Sequence, residues 1–294
     1  MSRENEKSTA MQVTLATLDL ETIEVNLFRG NSPQVGWQRV FGGQVIGQAL
    51  MAAQRTVAGD RFAHSLHAYF MLPGDPSVPI VYQVDRLRDG ASFNTRRVLA
   101  IQHGKAIFAL TASFQIDEPG FEHQSEMPKV PAPEELMDEQ QIKERYLANA
   151  PETVRRYWER KRAIEIRPVS IEDYFSRSRP SQRQDIWVRL TGPVPDDRLH
   201  QNAVLAYLSD MTLLDAALHV HGTSVFDPRL QVASLDHAMW FHHPCKLDDW
   251  LLYSQDSPSA SGARGFTRGS LFTRNGVLIA SVTQEGLIRK KAND

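Results

Sequence analysis

The 294-residue sequence predicts an α+β protein made of two similar halves, each with a strand-like start, one helix and then an antiparallel meander of strands. Two observations support this prediction: an internal repeat, and the same order of helical and strand-like segments within each copy. Four landmark pairs keep an offset of 171 or 172 residues between the copies: Phe70 and Phe241, Tyr82 and Tyr253, Arg97 and Arg268, and Gly104 and Gly276. The alternative is that two strand-rich halves share these coincidences by chance.

In the first half, the segment 42–57 is predicted to be a helix with small residues along its apolar side. Small residues such as Gly43 and Gly47 let a helix approach a sheet closely, or lie inside a sheet that curls round it. Apolar runs then predict four strands, at 65–71, 80–87, 92–102 and 105–115.

In the second half, the helix is predicted over 198–218, because Asp196 and Asp197 precede it as candidate N-caps. The strands that follow are predicted near 232–241, 250–256, 262–273 and 277–288.

A change in composition separates the halves. Several prolines and a polar stretch between residues 117 and 162 indicate a linker that carries a solvated helix. The expected organisation is a first domain at 12–117, a linker at 118–162, and a second domain at 163–291 that carries the candidate catalytic residues.

Composition excludes several classes of protein. The formal net charge of -2 gives no general attraction for nucleic acid, and Cys245, the single cysteine, excludes an internal disulfide and a cysteine-based zinc cage. The polar N-terminal residues are unlike a secretory signal, no apolar run reaches the length of a membrane span, and the final KAND is not an SKL-type peroxisomal address. We therefore expect a cytoplasmic protein without stable membrane insertion.

The motifs of several enzyme classes are absent from the sequence, among them G-x-S-x-G, the G-x-x-x-x-G-K phosphate loop, G-x-G-x-x-G and H-E-x-x-H. More informative is Asp210, which falls on the apolar stripe of the second predicted helix, between Tyr207 and Leu213. Burial of an ionised carboxylate is costly unless it is hydrogen-bonded or paired, so Asp210 is a candidate catalytic group. A structural ion pair or capping contact is the equally weighted alternative.

Two more polar residues stand where the repeat has alanine. Gln284 ends an otherwise aliphatic face of the last strand and matches Ala112, while Ser234 matches Ala63. Each of them alone could be a strand residue satisfied by a neighbouring backbone group. Together with Asp210 they suggest the addition of water to an activated carbonyl in an apolar acyl pocket, a reaction that requires no cofactor.

Other polar residues are weaker candidates. His64 lies beside the position that mirrors Ser234 and is an alternative general base, although a single strand histidine is more often structural. A metal cluster of His242, His243 and Cys245 is disfavoured, because adjacent strand residues face opposite sides, and no metal site is predicted. Four arginines recur at matched positions of the repeat, and they could bind phosphates of a charged substrate or simply be exposed strand residues. They are Arg96, Arg97, Arg264 and Arg268.

Several long motifs resemble those of the acyl-CoA thioesterase II family. They include VFGGQVIGQAL, HSLHAYFMLPGD, LAYLSD, ASLDHAMWFHHP, SASGARGF and GVLIASVTQEG, and the likeness extends from about residue 15 to residue 289. The resemblance implies a double hotdog fold, in which each half wraps an antiparallel sheet around one long helix and the two sheets join side by side. It also implies hydrolysis of fatty acyl-CoA to a free fatty acid and CoA, with broad chain-length tolerance, in a homo-oligomer such as a dimer or tetramer.

The family's catalytic aspartate, hydroxyl and glutamine fall here on Asp210, Ser234 and Gln284. Ser234 stands where some members have threonine, and the last motif reads TQEG, a change outside the trio. A histidine in the family's HS motif falls on His64, which stays a secondary candidate. Gly43 of the first helix is a further candidate substrate contact. Two alternative functions remain: an acyl-thioester hydratase or dehydratase, which would need an acid/base histidine, and a non-catalytic acyl-CoA binding module.

Overall fold

The computed structural model describes residues 3–33, 38–147, 150–160, 162–171 and 182–291. The helices of these ranges are α1 (Arg3–Leu18), α2 (Gly42–Gln54), α3 (Glu139–Tyr146), α4 (Glu152–Glu159), α5 (Arg198–Ser209) and α6 (Asp215–His219). The strands of the first half are β1 (Glu21–Glu24), β2 (Leu27–Gly30), β3 (Arg61–Phe70), β4 (Ile80–Asp89), β5 (Phe93–Gln102) and β6 (Lys105–Ile116). The remaining strands are β7 (Ile164–Pro168), β8 (Arg183–Leu190), β9 (Leu230–Ser234), β10 (Asp236–Phe241), β11 (Leu251–Ser261), β12 (Arg264–Thr273) and β13 (Leu278–Lys290).

The strands form one continuous antiparallel sheet in the order β1-β2-β4-β5-β6-β3-β10-β13-β12-β11-β8-β7, and β9 pairs with β13 beside this path. The pairing of β3 with β10 joins the halves, and on either side of it the same strand order repeats outward. The hairpins β5–β6 and β12–β13 turn at Gly104 and Gly276, which have φ angles of 70° and 87° that glycine adopts without strain. The double hotdog arrangement expected from the resemblance is confirmed.

Helices α2 and α5 pack against each other in antiparallel directions. A Cβ atom on Gly47 would lie 3.0 Å from the carbonyl oxygen of Ala203, and one on Gly43 would collide with the carbonyl oxygen of Tyr207. At the other end of the pair, Gln54 donates from Nε2 to the carbonyl oxygen of Leu199 at 3.1 Å. The small residues of α2 therefore serve its close approach to the other helix, as well as its place inside the sheet.

The helix predicted over 198–218 is two helices, because the chain leaves helical geometry after Ser209. Asp210 is the C-cap of α5, and Thr212 has a positive φ of 63°, which is rare for a β-branched residue. Gln255 donates from Nε2 to Thr212 Oγ1 at 2.8 Å and so supports this turn from the sheet. The prediction of one long helix in the second half was therefore wrong.

The segment between the halves covers part of the sheet instead of forming a simple linker. On the sheet face opposite to the helices, Met127, Val130 and Leu136 of this segment pack against a second apolar cluster. The cluster consists of Trp187, Trp250, Leu252 and Phe272. Two short helices, α3 and α4, replace the single solvated helix that was predicted, and their Ile142 and Trp158 side chains are fully buried. The domain boundaries at 12–117, 118–162 and 163–291 remain a prediction.

The strand-like start expected in each half consists of the edge strands β1 and β2 in the first half and β7 and β8 in the second. The sequence interpretation missed the N-terminal helix α1, whose Met11 and Leu18 enter the core. No helix in the described ranges is both long enough and apolar enough to cross a bilayer.

Candidate active site

Asp210 lies between the two halves of the molecule. As the C-cap of α5, it comes from the second half, and its carboxylate faces the N-terminus of α2 from the first half. The backbone N–H of Gly43 donates to this carboxylate. Free N–H groups and the helix dipole make a helix N-terminus favourable for an anion, so the first half supplies electrostatic support for a group from the second.

Gln284 makes the second contact to Asp210. It lies on β13 with 1% of its surface exposed, and its Nε2 donates to Asp210 Oδ1 at 2.8 Å. An ionised carboxylate only accepts hydrogen bonds, which fixes the amide orientation and leaves Oε1 outside this hydrogen bond. Gln284 Oε1 is buried, and no donor from the described part of the chain reaches it. This oxygen is available to accept a hydrogen bond from a molecule other than the protein.

Ser234 shares a sheet face with Gln284. It ends β9 and stands directly opposite Gly286 on β13, two residues from Gln284. Residues that are directly opposite in a sheet, and residues two apart along a strand, point to the same face. Within the described ranges no hydrogen bond joins Ser234 to Asp210 or Gln284, so the three form one neighbourhood in which only the acid and the amide are in direct contact.

The environment of Asp210 raises its pKa to about 6, and the cause is burial, which disfavours the charged form. The hydrogen bonds from Gln284 and from the Gly43 backbone act in the opposite direction and limit the increase. The carboxylate is therefore mostly ionised at pH 7, yet basic enough to accept a proton during a reaction.

Glycine is required beside the carboxylate. A Cβ atom on Gly42 would lie 2.6 Å from Asp210 Oδ2 and 3.0 Å from Phe70 Cζ. The neighbouring walls are aromatic: Phe70 packs against Phe108 with a centroid distance of 5.0 Å, and Phe41 meets Tyr207 edge-on at 5.1 Å. The polar groups therefore open into surroundings that suit an apolar substrate chain.

The equivalent place in the first half lacks these groups. Ala112 and Ala63 occupy the positions of Gln284 and Ser234, and Ala63 pairs with Phe114 just as Ser234 pairs with Gly286. The Phe114 side chain is fully buried where the second half has no side chain. In the part of the chain that the structure describes, this group of side chains therefore occurs once, in the second half.

His64 does not join the site. Ser234 lies near Phe70 at the end of β3, because Phe70 N–H donates to the carbonyl oxygen of Leu235 at 2.9 Å. His64 lies six residues earlier on that strand, about 20 Å away at ~3.3 Å per residue, and its Nε2 is 2.8 Å from Ser113 Oγ. The position predicted for a secondary base is thus a structural one, and burial lowers the pKa of His64.

The candidate arginines also lie apart from Asp210. Arg97 pairs with Asp85, and Arg268 pairs with Asp256 at the equivalent position of the repeat, both on the exposed side of the sheet. Two further arginines have structural partners: Arg264 binds Glu285, which faces away from Gln284, and Arg96 is buried and donates to Thr56 Oγ1. Of the predicted substrate contacts, only Gly43 lies beside Asp210, and the arginines as contacts for substrate phosphates stay a prediction.

Sequence reasoning missed Gly42, although the consecutive glycines of FGGQ at the start of a helix were a usable signal. Tyr253 and His237, whose side chains contact Ser209 directly before Asp210, left no local signal, because they come from distant strands. No group of histidine, cysteine and acidic residues with metal-binding geometry occurs in the part of the chain that the structure describes.

Comparison with known proteins supplies a family. The model of the family described as "Acyl-CoA thioesterase" matches residues 154–287, and that of the "Acyl-CoA thioesterase N-terminal domain" matches residues 28–115. The chain is 42% identical to Acyl-CoA thioesterase 2 of Haemophilus influenzae over 272 residues, which are 92% of this chain and 95% of the relative. It is also 42% identical to acyl-coenzyme A thioesterase 8 of Homo sapiens over 283 residues, 93% of this chain and 88% of that protein.

Solved structures agree with this result. The acyl-CoA thioesterase II TesB2 of Mycobacterium marinum superposes with a TM-score of 0.78 at 42% identity, covering 95% of this chain and 99% of that one. The tesB protein of Mycobacterium avium subspecies paratuberculosis gives a TM-score of 0.79 at 32% identity, with the same coverage.

Proposed function

This chain belongs to the acyl-CoA thioesterase family, and from that premise we propose that it hydrolyses fatty acyl-CoA to a free fatty acid and CoA at Asp210, Gln284 and Ser234. The observation that carries the assignment is the 2.8 Å hydrogen bond between Gln284 Nε2 and Asp210 Oδ1, beside the N-terminus of α2. It gives a buried acid and a buried amide one common position at which to hold a water molecule.

The proposed reaction begins with a water molecule bound to both groups. The buried Gln284 Oε1 accepts one of its hydrogens, while the Asp210 carboxylate accepts the other. As the water oxygen bonds to the thioester carbonyl carbon, its proton passes to Asp210, and the carbonyl oxygen becomes an alkoxide. The alkoxide then re-forms the carbonyl, the carbon–sulfur bond breaks, and the proton on Asp210 neutralises the leaving CoA thiolate.

Ser234 supports this step from the same face of the sheet, where its hydroxyl can help to hold the water or the developing alkoxide. A covalent acyl-serine is disfavoured, because nucleophilic serines need an adjacent base, and no histidine in the described ranges is hydrogen-bonded to Ser234. His237, which is nearest along the chain, instead contacts Ser209 Oγ at 2.9 Å, and burial lowers its pKa to about 3.

The geometry favours hydrolysis over the two alternatives. A hydratase or dehydratase would need a histidine able to exchange protons at the site, and neither His64 nor His237 meets that requirement. A binding module would gain nothing from an ionised carboxylate whose burial costs stability and raises its pKa to about 6.

The direct test measures release of free thiol from palmitoyl-CoA by the wild type and by Asp210→Asn. We expect steady release by the wild type and a loss of at least about 100-fold in the variant, with the fold retained. Wild-type rates in Asp210→Asn would show that the site is misplaced. Conversion of crotonyl-CoA without thiol release would favour the hydratase, and an acylated Ser234 trapped after rapid quenching would replace the water mechanism.

The substrate range and the setting of the enzyme are further parts of the proposal. Aromatic walls such as Phe70 and Phe108 support a long apolar acyl chain, and a thiol-release series across chain lengths gives the preference. The single, free Cys245 supports a cytoplasmic, reducing setting. Exposed Tyr69, Met71 and Leu72 near the junction of the halves support a homo-oligomer, which light scattering after gel filtration would detect.

A further inference from the structure

The end of α5 is held by groups outside the proposed catalytic trio. Ser209, the last residue of the helix, is fully buried, and Tyr253 Oη–H donates to its carbonyl oxygen at 2.6 Å. The last carbonyl groups of a helix have no donor within the helix, so this bond satisfies one of them. Because this carbonyl belongs to the peptide group that links Ser209 to Asp210, the tyrosine fixes the backbone that carries the carboxylate.

His237 holds the side chain of the same residue. Its Nε2 is 2.9 Å from Ser209 Oγ, and the Ser209 hydroxyl donates to the carbonyl oxygen of Ala206 at 2.8 Å. Since the hydroxyl hydrogen is engaged there, the Nε2–H of His237 must be the donor in the first contact. Burial lowers the pKa of His237 to about 3, so the ring stays neutral and keeps this donor at every pH of interest.

The repeat offers an internal comparison for both contacts. Tyr82, at the position of Tyr253, is equally buried but donates to Gln48 Oε1 at 2.6 Å, in the middle of α2. Leu66 occupies the position of His237, and Val98 the position of Gly269. Among the described residues, only the half that carries Asp210 has a tyrosine and a histidine directed to the end of its helix.

Gly269 accounts for the different direction of the tyrosine. A Cβ atom at this position would lie 2.5 Å from Tyr253 Cε2 and 3.0 Å from its hydroxyl oxygen. The tyrosine ring therefore lies over the glycine, in space that a valine fills in the first half.

We propose that Tyr253 and His237 are positioning residues that hold Asp210 against Gln284 and the N-terminus of α2, and that Gly269 makes room for the tyrosine ring. This inference rests on the proposed function, because it gives Asp210 the catalytic role. Both side chains are fully buried and act through Ser209. Their loss should lower turnover more than substrate binding.

The first experiment compares Tyr253→Phe with Tyr82→Phe, which removes an equally short hydrogen bond from an equally buried ring. Both variants should lose thermal stability. Only Tyr253→Phe should lower kcat for palmitoyl-CoA, by about 10- to 100-fold, the cost of displacing a catalytic group by about 1 Å, with KM within about twofold. Unchanged kcat in Tyr253→Phe, or equal losses in both variants, would overturn the positioning role of the tyrosine.

The second experiment needs no tyrosine variant and compares His237→Leu, which copies the first half, with His237→Gln, which keeps an N–H donor of similar reach. The glutamine variant should recover a substantial part of the kcat that the leucine variant loses. Equal kcat values would exclude a positioning role for the histidine.

The two proposals fail in different ways. Full activity in Asp210→Asn would overturn the proposed function itself. An inactive Asp210→Asn together with wild-type kcat in folded Tyr253→Phe and His237→Leu would overturn only the positioning role.

Discussion

Replacement of Asp210 by asparagine should abolish hydrolysis and, at the same time, stabilise the fold. Burial raises the pKa of Asp210 to about 6 in the folded protein, against 3.8 for an ordinary aspartate. The folded state therefore binds more protons than the unfolded state between these values, and wild-type stability falls as the pH rises through this range. Above pH 6 the ionised side chain lowers the free energy of unfolding, and an uncharged residue would not.

The size of the effect follows from the two pKa values. At pH 8 they correspond to about 3 kcal/mol of lost stability, and at pH 5 to about half of that, because Asp210 is then largely protonated in the folded protein. Asparagine avoids this cost, but its amide cannot accept from both Gln284 and the Gly43 N–H, which removes about 1 kcal/mol. We expect Asp210→Asn to raise the free energy of unfolding by about 2 kcal/mol at pH 8 and by less than about 1 kcal/mol at pH 5.

Urea denaturation of wild type and variant at both pH values gives these differences, and thiol release gives the activity. Asp227→Asn is a control of opposite sign, since the Arg229 guanidinium holds the pKa of Asp227 well below its usual range, and this variant should be destabilised at pH 8. A destabilised Asp210→Asn at pH 8, or a stability gain that is the same at both pH values, would refute the account of a buried carboxylate that lowers stability when it is ionised.

The remaining predictions concern rates. The kcat of the wild type should fall below pH 6 and be about tenfold lower at pH 5 than on its plateau, because only ionised Asp210 can accept the proton; a pH–rate profile without this decline would exclude Asp210 as the base. Gly42→Ala should lower kcat, because the added Cβ would lie 2.6 Å from Asp210 Oδ2, whereas Gly59→Ala, in open space, should behave as the wild type. Ser234→Thr should keep most of the activity that Ser234→Ala loses, since the threonine hydroxyl remains; equal rates in the two variants would make the hydroxyl dispensable.

Local sequence patterns predicted most of the fold around the junction of the halves. The alternation of apolar and polar residues, together with the repeat, located the four-strand meanders, because side chains two residues apart on a strand point to the same face. The repeat also identified Gln284 as an amide at an alanine position, and the structure places it in contact with Asp210. The catalytic roles of these residues remain a prediction from the pattern and the resemblance.

Features that depend on distant contacts were not predictable in this way. The apolar spacing of the second helix continues past Asp210 to Ala217, so nothing local marked its end. The break at Thr212 depends on Gln255, forty-three residues further along the chain. The segment between the halves likewise shows a polar composition, and only the cluster around Trp187 explains why Met127 and Val130 pack on the sheet.

The antiparallel helix pair explains why a site with all three polar side chains in the second half still needs the first half. The C-terminal end of each helix lies beside the N-terminal end of its partner. Asp210 at the end of α5 contacts the start of α2, and Gln54 at the end of α2 contacts Leu199 at the start of α5. A carboxylate at this position gains a backbone N–H and the positive end of a helix dipole, both supplied by α2. A second half that lacked α2 would lose these groups, and the pKa of Asp210 would then depend on burial and Gln284 alone. In the proposed mechanism the second half therefore contributes the reactive groups, and the first half supplies their electrostatic support.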